Sequence, residues 1–204
     1  MTLLSPSAAL LPLPGSGGWD WASVFGRTAP VVLEIGSGKG IFLSSAAKGD
    51  PSRDFLGVEI RRKRVEAIAK KIETAALPNA RVAAGDIRVV LTAVRPGTLS
   101  SCWINFPDPW PKRAHARRRI FANPAFVPDL ARSLRPGGEL VVATDVGWYA
   151  AEIILAILPC AEFEHPWGIG RAAPRPEGYP VSVHEEKFMA WGRPIYFLRF
   201  RRRG

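Results

Sequence analysis

Residues 105–119, NFPDPWPKRAHARRR, hold the side chains best suited to chemistry on a flat, negatively charged partner. Asp108 stands between Pro107 and Pro109, Trp110 follows, and Pro111 closes the run. Proline fixes φ and lacks an N–H donor, so this density fits no regular element and predicts a shaped loop. A stiff loop that presents one carboxylate and one large aromatic suits a nucleobase, which stacks and hydrogen-bonds at once. Lys112, Arg113, His115, Arg117, Arg118 and Arg119 come next and are expected on phosphates, with plain solvent exposure equally open for His115.

A second constellation is LEIGSGKG, with Glu34, Gly36, Gly38 and Gly40. Glycines here let the chain turn sharply after a strand and let its backbone approach a ligand. The spacing is G-x-G-x-G rather than the G-x-G-x-x-G of a diphosphate cradle, so the aminoacyl end of S-adenosylmethionine is the better-matched ligand. Glu59, 19 residues past Gly40, is placed to accept two ribose hydroxyls. Asp86, in AGDI, could accept from an adenine amino group or cap the helix after it.

Elements that would carry these residues alternate along the chain. VVLEI (31–35), FLGVEI (55–60), RVAAG (81–85), SCWINF (101–106), ELVVATD (139–145) and IYFLRF (195–200) are predicted strands. Helices are predicted at 40–48, 61–76, about 87–94, 124–134 and 147–158; the second shows Val65, Ile68, Ala69 and Ile72 at helical spacing. The segment Arg135-Pro136-Gly137-Gly138 should stop the fourth helix, and 166–180, with four prolines, should be loop. Alternating strands and helices imply an α/β fold with a parallel sheet covered on both faces, and ligands at the carboxyl ends of its strands. Residues 1–18 are expected to be a flexible or loosely packed Pro/Gly/Ser-rich lead-in, and 19–204 a single domain.

The 204 residues carry 28 Lys and Arg against 18 Asp and Glu, a formal net charge of +10, which asks for an anionic partner. The charge is concentrated: six cations against one acid in 61–71, five against Asp108 in 101–120, and five with no acid in 193–204, so the remainder is net acidic. The 61–71 group could be a solvated helix face or an outer RNA track, and the 193–204 group a tail that raises on-rate. Cys102 and Cys160 sit in apolar runs and read as buried thiols, and with three histidines they form no metal-ligand spacing. No stretch suits a membrane span, and the uncharged amino end lacks the basic start of a secretory signal. A reducing, cytoplasmic setting is expected, with no feature that fixes an oligomeric state.

Taken together, LEIGSGKG, GVEI, GD, NFPDPWPK-x-x-H-x-x-R-R, GG-x-L-x-x-ATD and a late GRPIY resemble the tRNA (guanine-N7-)-methyltransferase family, in order from about Phe25 to Phe200. The resemblance implies a Rossmann-like class I methyltransferase fold, with a mostly parallel seven-strand sheet ending in an antiparallel hairpin. It implies S-adenosylmethionine as cofactor, tRNA as partner, and methylation at guanine N7, usually in the variable loop. By the same resemblance Glu34, Gly36, Gly38, Gly40, Glu59, Asp86 and Asp108 bind or adjoin the cofactor, and Lys112 and Asp145 the substrate. The family's T-x-[FY]-E segment, which the resemblance also places at the substrate, corresponds to Ser182-Val183-His184-Glu185, where Ser keeps the hydroxyl and His replaces the aromatic. The family's polar amino-terminal extension is replaced by an apolar one.

N7 carries a lone pair and no proton, so its methylation needs alignment and charge stabilisation rather than a base; Asp108 is the expected catalytic residue and His184 an edge contact. His165 is expected at the surface and Trp191 in the core. Competing readings are a methyltransferase for another RNA or base position, a silent RNA-binding relative and a nicotinamide dehydrogenase. The cofactor residues argue against the second, and the glycine spacing against the third.

Overall fold

The computed structural model describes residues 7–204, so the first six positions of the expected lead-in lie outside the described residues. Two compact units make up the chain, one ending at Arg95 and the other running Pro96–Gly204.

In the first unit, apolar runs form β1 (Val31–Ile35) and β2 (Asp54–Glu59), and every residue of both is buried. Burial on both faces is the mark of a parallel strand covered by helices. β2 pairs in parallel with β1 on one side and with β3 (Ala80–Ala84) on the other, giving the order β3-β2-β1. Between the strands lie α2 (Ile41–Gly49), α3 (Arg62–Thr74) and, after β3, the short α4 (Ile87–Val90). α3 buries Val65, Ile68, Ala69 and Ile72, while Arg62, Lys63, Arg64 and Lys70 face solvent. The 61–71 cations therefore include a solvated helix face, as one of the two readings had it.

The lead-in differs from a loose tail over its described part. Leu10 bridges Val82 in parallel, Leu11 N donates to Val82 O at 2.8 Å, and Val82 N donates to Ala9 O at 2.8 Å. These bonds occupy the free edge of β3, an edge that would otherwise invite pairing with other chains. Trp19 then ties back through Nε1 to Pro12 O at 3.0 Å, ahead of a helix the sequence did not signal, α1 (Trp21–Phe25), capped by Asp20.

The second unit is built on β4 (Leu99–Asn105) and β5 (Leu134–Thr144), which are parallel. α5 (Phe126–Ser133) precedes β5 and α6 (Gly147–Ile157) follows it. A two-residue strand, β6 (Phe163–Glu164), and β7 (Tyr196–Arg202) complete the order β4-β5-β7-β6, with β7 antiparallel to both neighbours. α7 (Val183–Ala190) lies between them in sequence.

β5 begins earlier than the sequence suggests. Leu134 is buried and pairs with Leu99, and the register then shifts so that Ser101 faces Glu139. Arg135–Gly138 is thus a bulge inside the strand as well as the end of α5. At Gly138 a Cβ would fall 2.9 Å from Arg135 O and 3.2 Å from Leu99 O, so only glycine passes.

Candidate active site

β1, β2 and β3 run the same way, so their carboxyl ends share one edge of the first unit. Glu34, Glu59 and Asp86 lie there. The turn after β1 carries Gly36 at φ +79° and Gly38 at φ +56°, the left-handed region that glycine adopts without strain. A Cβ on Gly36 would meet nothing within 4 Å, and one on Gly38 only Gly36 O at 3.9 Å, so this backbone has an open face. Gly40 has a different reason to be glycine, because a Cβ there would fall 2.7 Å from Ile68 of α3. It lets α2 start against α3.

Glu59 is buried, with Oε2 accepting from Gly38 N at 3.0 Å and Oε1 from Arg61 N at 2.9 Å. The Arg64 guanidinium stands 3.7 Å away. The carboxylate is thereby fixed against the glycine turn, and each oxygen keeps a lone pair for a further donor. An open glycine backbone joined to a fixed carboxylate fits the aminoacyl end and ribose diol of S-adenosylmethionine. Asp86 caps α4 by accepting from Arg88 N at 2.9 Å and forms an ion pair with the Arg88 side chain. The side-chain hydrogen bond from Arg88 holds its carboxyl below the usual aspartate range. The capping reading of Asp86 is the one displayed, and any adenine contact would share that carboxylate. Glu34 is buried within β1, opposite Gly57.

In the second unit Asn105 pairs with Ala143 across β4 and β5, so the loops carrying Asp108 and Asp145 leave the same edge. Asp108 is exposed, and the loop is bracketed by two non-glycine residues in the left-handed region, Phe106 at φ +48° and Trp110 at φ +40°. Such conformations cost about 1–3 kcal/mol each and persist only where neighbours enforce them. Phe106 N donates to Ala143 O at 2.8 Å, and at the Trp110 end Arg119 does the enforcing. Its Nε donates to Pro109 O at 2.8 Å and its Nη2 to Trp110 O at 3.0 Å. Its Nη1 reaches both Glu152 oxygens at 2.8 and 2.6 Å, and its guanidinium lies 4.9 Å from the Trp148 ring centroid.

With a side chain only 10% exposed, Arg119 is an internal brace rather than the phosphate contact the sequence suggested. Lys112, Arg113, Arg117 and Arg118 are exposed. Trp110 is flanked by His115, edge-on at 5.7 Å, and by the Arg118 guanidinium at 5.0 Å. At the base of the loop Asn105 Oδ1 accepts from the Tyr179 hydroxyl, a partner that nothing in the sequence announces.

Asp145, just past β5, has Oδ2 held by Arg193 Nη1 at 3.1 Å. The Ser182–Glu185 segment starts α7 as a capping box: Ser182 Oγ accepts from Glu185 N at 3.1 Å, and Glu185 Oε2 accepts from Ser182 N at 3.3 Å. Both side chains are buried, and Glu185 also pairs with Arg175 at 3.1 Å. Of the four residues in this segment, only Val183 and His184 present side chains to solvent. The S-x-x-E spacing is itself a helix-start signal, so this role was readable. His184 stacks on Phe106 with ring centroids 5.6 Å apart, which joins α7 to the Asp108 loop.

Three further expectations change. Trp191 is 58% exposed rather than in the core. Cys160 is half-buried, unlike the fully buried Cys102. His165 packs edge-on to Phe200 at 5.1 Å, and this partial burial, with Arg203 nearby, holds its imidazole pKa below the ordinary value. Among the described residues no group of three or more His, Cys, Asp or Glu could hold a metal ion, and no helix is long and apolar enough to cross a membrane.

A family model described as "Putative methyltransferase" matches residues 28–198. A tRNA (guanine-N(7)-)-methyltransferase of Halorhodospira halophila is 40% identical over 94% of this chain and 83% of its own length. A protein of the same name from Syntrophotalea carbinolica is 36% identical over 90% of this chain and 78% of its own. Among solved structures, the 16S rRNA methyltransferase KamB superposes with a TM-score of 0.65 over 93% of this chain and 96% of its own, at 16% identity. That likeness shows the fold, a Rossmann-like class I arrangement with a mostly parallel seven-strand sheet.

Proposed function

We propose the function on one premise: the chain belongs to the tRNA (guanine-N(7)-)-methyltransferase family. It transfers a methyl group from S-adenosylmethionine to N7 of a guanine in tRNA, by resemblance the variable-loop guanine, and works in the cytoplasm. Beyond kinship, the observation that carries this reading is the braced loop that offers Asp108 between two prolines with Trp110 beside it.

Bound S-adenosylmethionine supplies a methyl group activated by its sulfonium, which the N7 lone pair takes as the C–S bonding pair returns to sulfur. In the first unit the open backbone of Gly36 and Gly38 would receive the aminoacyl end, Glu59 the ribose hydroxyls, and Glu34 and Asp86 would line the nucleoside. In the second unit Asp108 would face the purine, which gains positive charge as the N–C bond forms. A carboxylate on that braced backbone stabilises the charge as it arrives. Asp145 would accept from the guanine N1–H and amino edge, His184 and Val183 would border the base, and Lys112 would meet a phosphate. N7 carries no proton, so no residue has to act as a base before transfer.

The test is to incubate the full chain with methyl-labelled S-adenosylmethionine and bulk unmodified tRNA, then digest the RNA to nucleosides. Label in N7-methylguanosine is the expected result. Label in another nucleoside, or none, overturns the reading.

A further inference from the structure

An aromatic row on the second unit extends past the residues that methyl transfer uses. Phe188 of α7 lies 5.5 Å from Phe106 and 6.2 Å from His184, and Trp191 lies 6.0 Å beyond Phe188. The row therefore runs without a break from the Asp108 loop to Trp191, a residue left 58% exposed. An exposed indole leaves the largest apolar side chain in water unless a partner covers it. Two cations attend this ring: Lys187 Nζ is 4.5 Å and the Arg193 guanidinium 5.6 Å from its centroid. Arg193 also lies 5.6 Å from the Phe188 ring and bonds Asp145, so the end of the row is tied to the expected guanine-reading carboxylate.

A ring more than half exposed, with two mobile cations over it, suits a stacked nucleotide: the base takes the ring in place of the cations, and the cations turn to its phosphates. The buried centre of a protein–protein contact would instead be poor in lysine. We propose that Trp191, with Lys187 and Arg193, forms a second stacking subsite that takes a nucleotide of the same tRNA other than the methylated guanine. This rests on the tRNA reading. Stacking on one ring has no sequence preference, so the subsite contributes affinity and register rather than rate.

The experiment compares wild type, Trp191→Ala and Trp191→Phe in tRNA methylation, in binding of a short unmodified RNA oligonucleotide, and in sedimentation. Trp191→Ala should raise KM for tRNA about tenfold, the loss expected from one base–aromatic stack, with kcat and S-adenosylmethionine affinity unchanged. Trp191→Phe should recover most of it. A KM for Trp191→Ala within about twofold of wild type overturns the subsite, as does a dimer that becomes monomeric in Trp191→Ala with tRNA affinity unchanged. If wild type forms no N7-methylguanosine, the tRNA reading falls and the oligonucleotide decides the subsite. Binding about tenfold weaker to Trp191→Ala sustains it, and equal binding removes it.

Discussion

Asp108 is exposed on a stiff loop, so its carboxylate is accessible to a purine, which would displace the water around it. Its proposed contribution is confined to the moment when positive charge reaches the base. Asp108→Ala should therefore lower kcat about 100-fold, the usual loss when one preorganised electrostatic group is removed, with S-adenosylmethionine affinity and melting temperature unchanged. Single-turnover methylation near the wild-type rate would remove Asp108 from this role. The position was legible in the sequence because prolines on both sides of an acid fit no regular element. Arg119 was not. Its brace depends on the carbonyls of Pro109 and Trp110 and on Glu152, 33 positions away, and adjacency in a basic run gives no sign of which arginine turns inward. Trp191 misled for a related reason: apolar character suggests burial, yet only the path of α7 decides which side of the chain the indole occupies.

The Asp108 loop and α7 hold their shapes by different means, and each can be loosened separately. Arg119 joins two carbonyls and a carboxylate with one planar fork, which a lysine ammonium cannot span. Arg119→Lys should destabilise the protein by about 1 kcal/mol, because partly buried acceptors lose their donor. It should also speed hydrogen exchange at the backbone amides of Asp108 and Trp110 and lower kcat more than it raises KM for tRNA. Unchanged exchange in the loop would contradict the brace. α7 is set by the Ser182–Glu185 capping box, so Ser182→Ala should cost about 1 kcal/mol in urea unfolding. The same change should weaken tRNA binding only slightly, because the Ser182 hydroxyl is turned inward. A large affinity loss without a stability loss would return Ser182 to direct substrate contact. At this scale the strands and long helices were legible from apolar runs and helical spacing. β6 is two residues long and leaves no period to read, and the early start of β5 needs the Leu99–Leu134 pairing that only the fold supplies.

Across the whole chain a net charge of +10 does not mean ten cations available to RNA. On β7, Arg199 pairs with Glu139 at 2.8 Å, and Arg201 lies 3.6 Å from Glu139 and 3.8 Å from Glu164, with Trp167 under both guanidinium groups. The carboxyl-terminal arginines at these positions are part of a sheet and its ion pairs, not a free tail. On α3, Arg62 is paired with Glu66 at 3.5 Å on a solvated face. Lys112, Arg113, Arg117 and Arg118 differ in being exposed within the loop that carries Asp108. Each phosphate neutralised releases counterions, so the logarithm of tRNA affinity should fall linearly with the logarithm of salt concentration. Single alanine substitutions at those four positions should each reduce the slope by about 0.7–0.9 if that cation meets one phosphate, whereas Arg201→Ala should leave the slope unchanged. Binding titrations between about 50 and 200 mM salt separate the two classes of arginine. A slope that drops for Arg201→Ala and not for the loop substitutions would move the tRNA track from the Asp108 loop to β7.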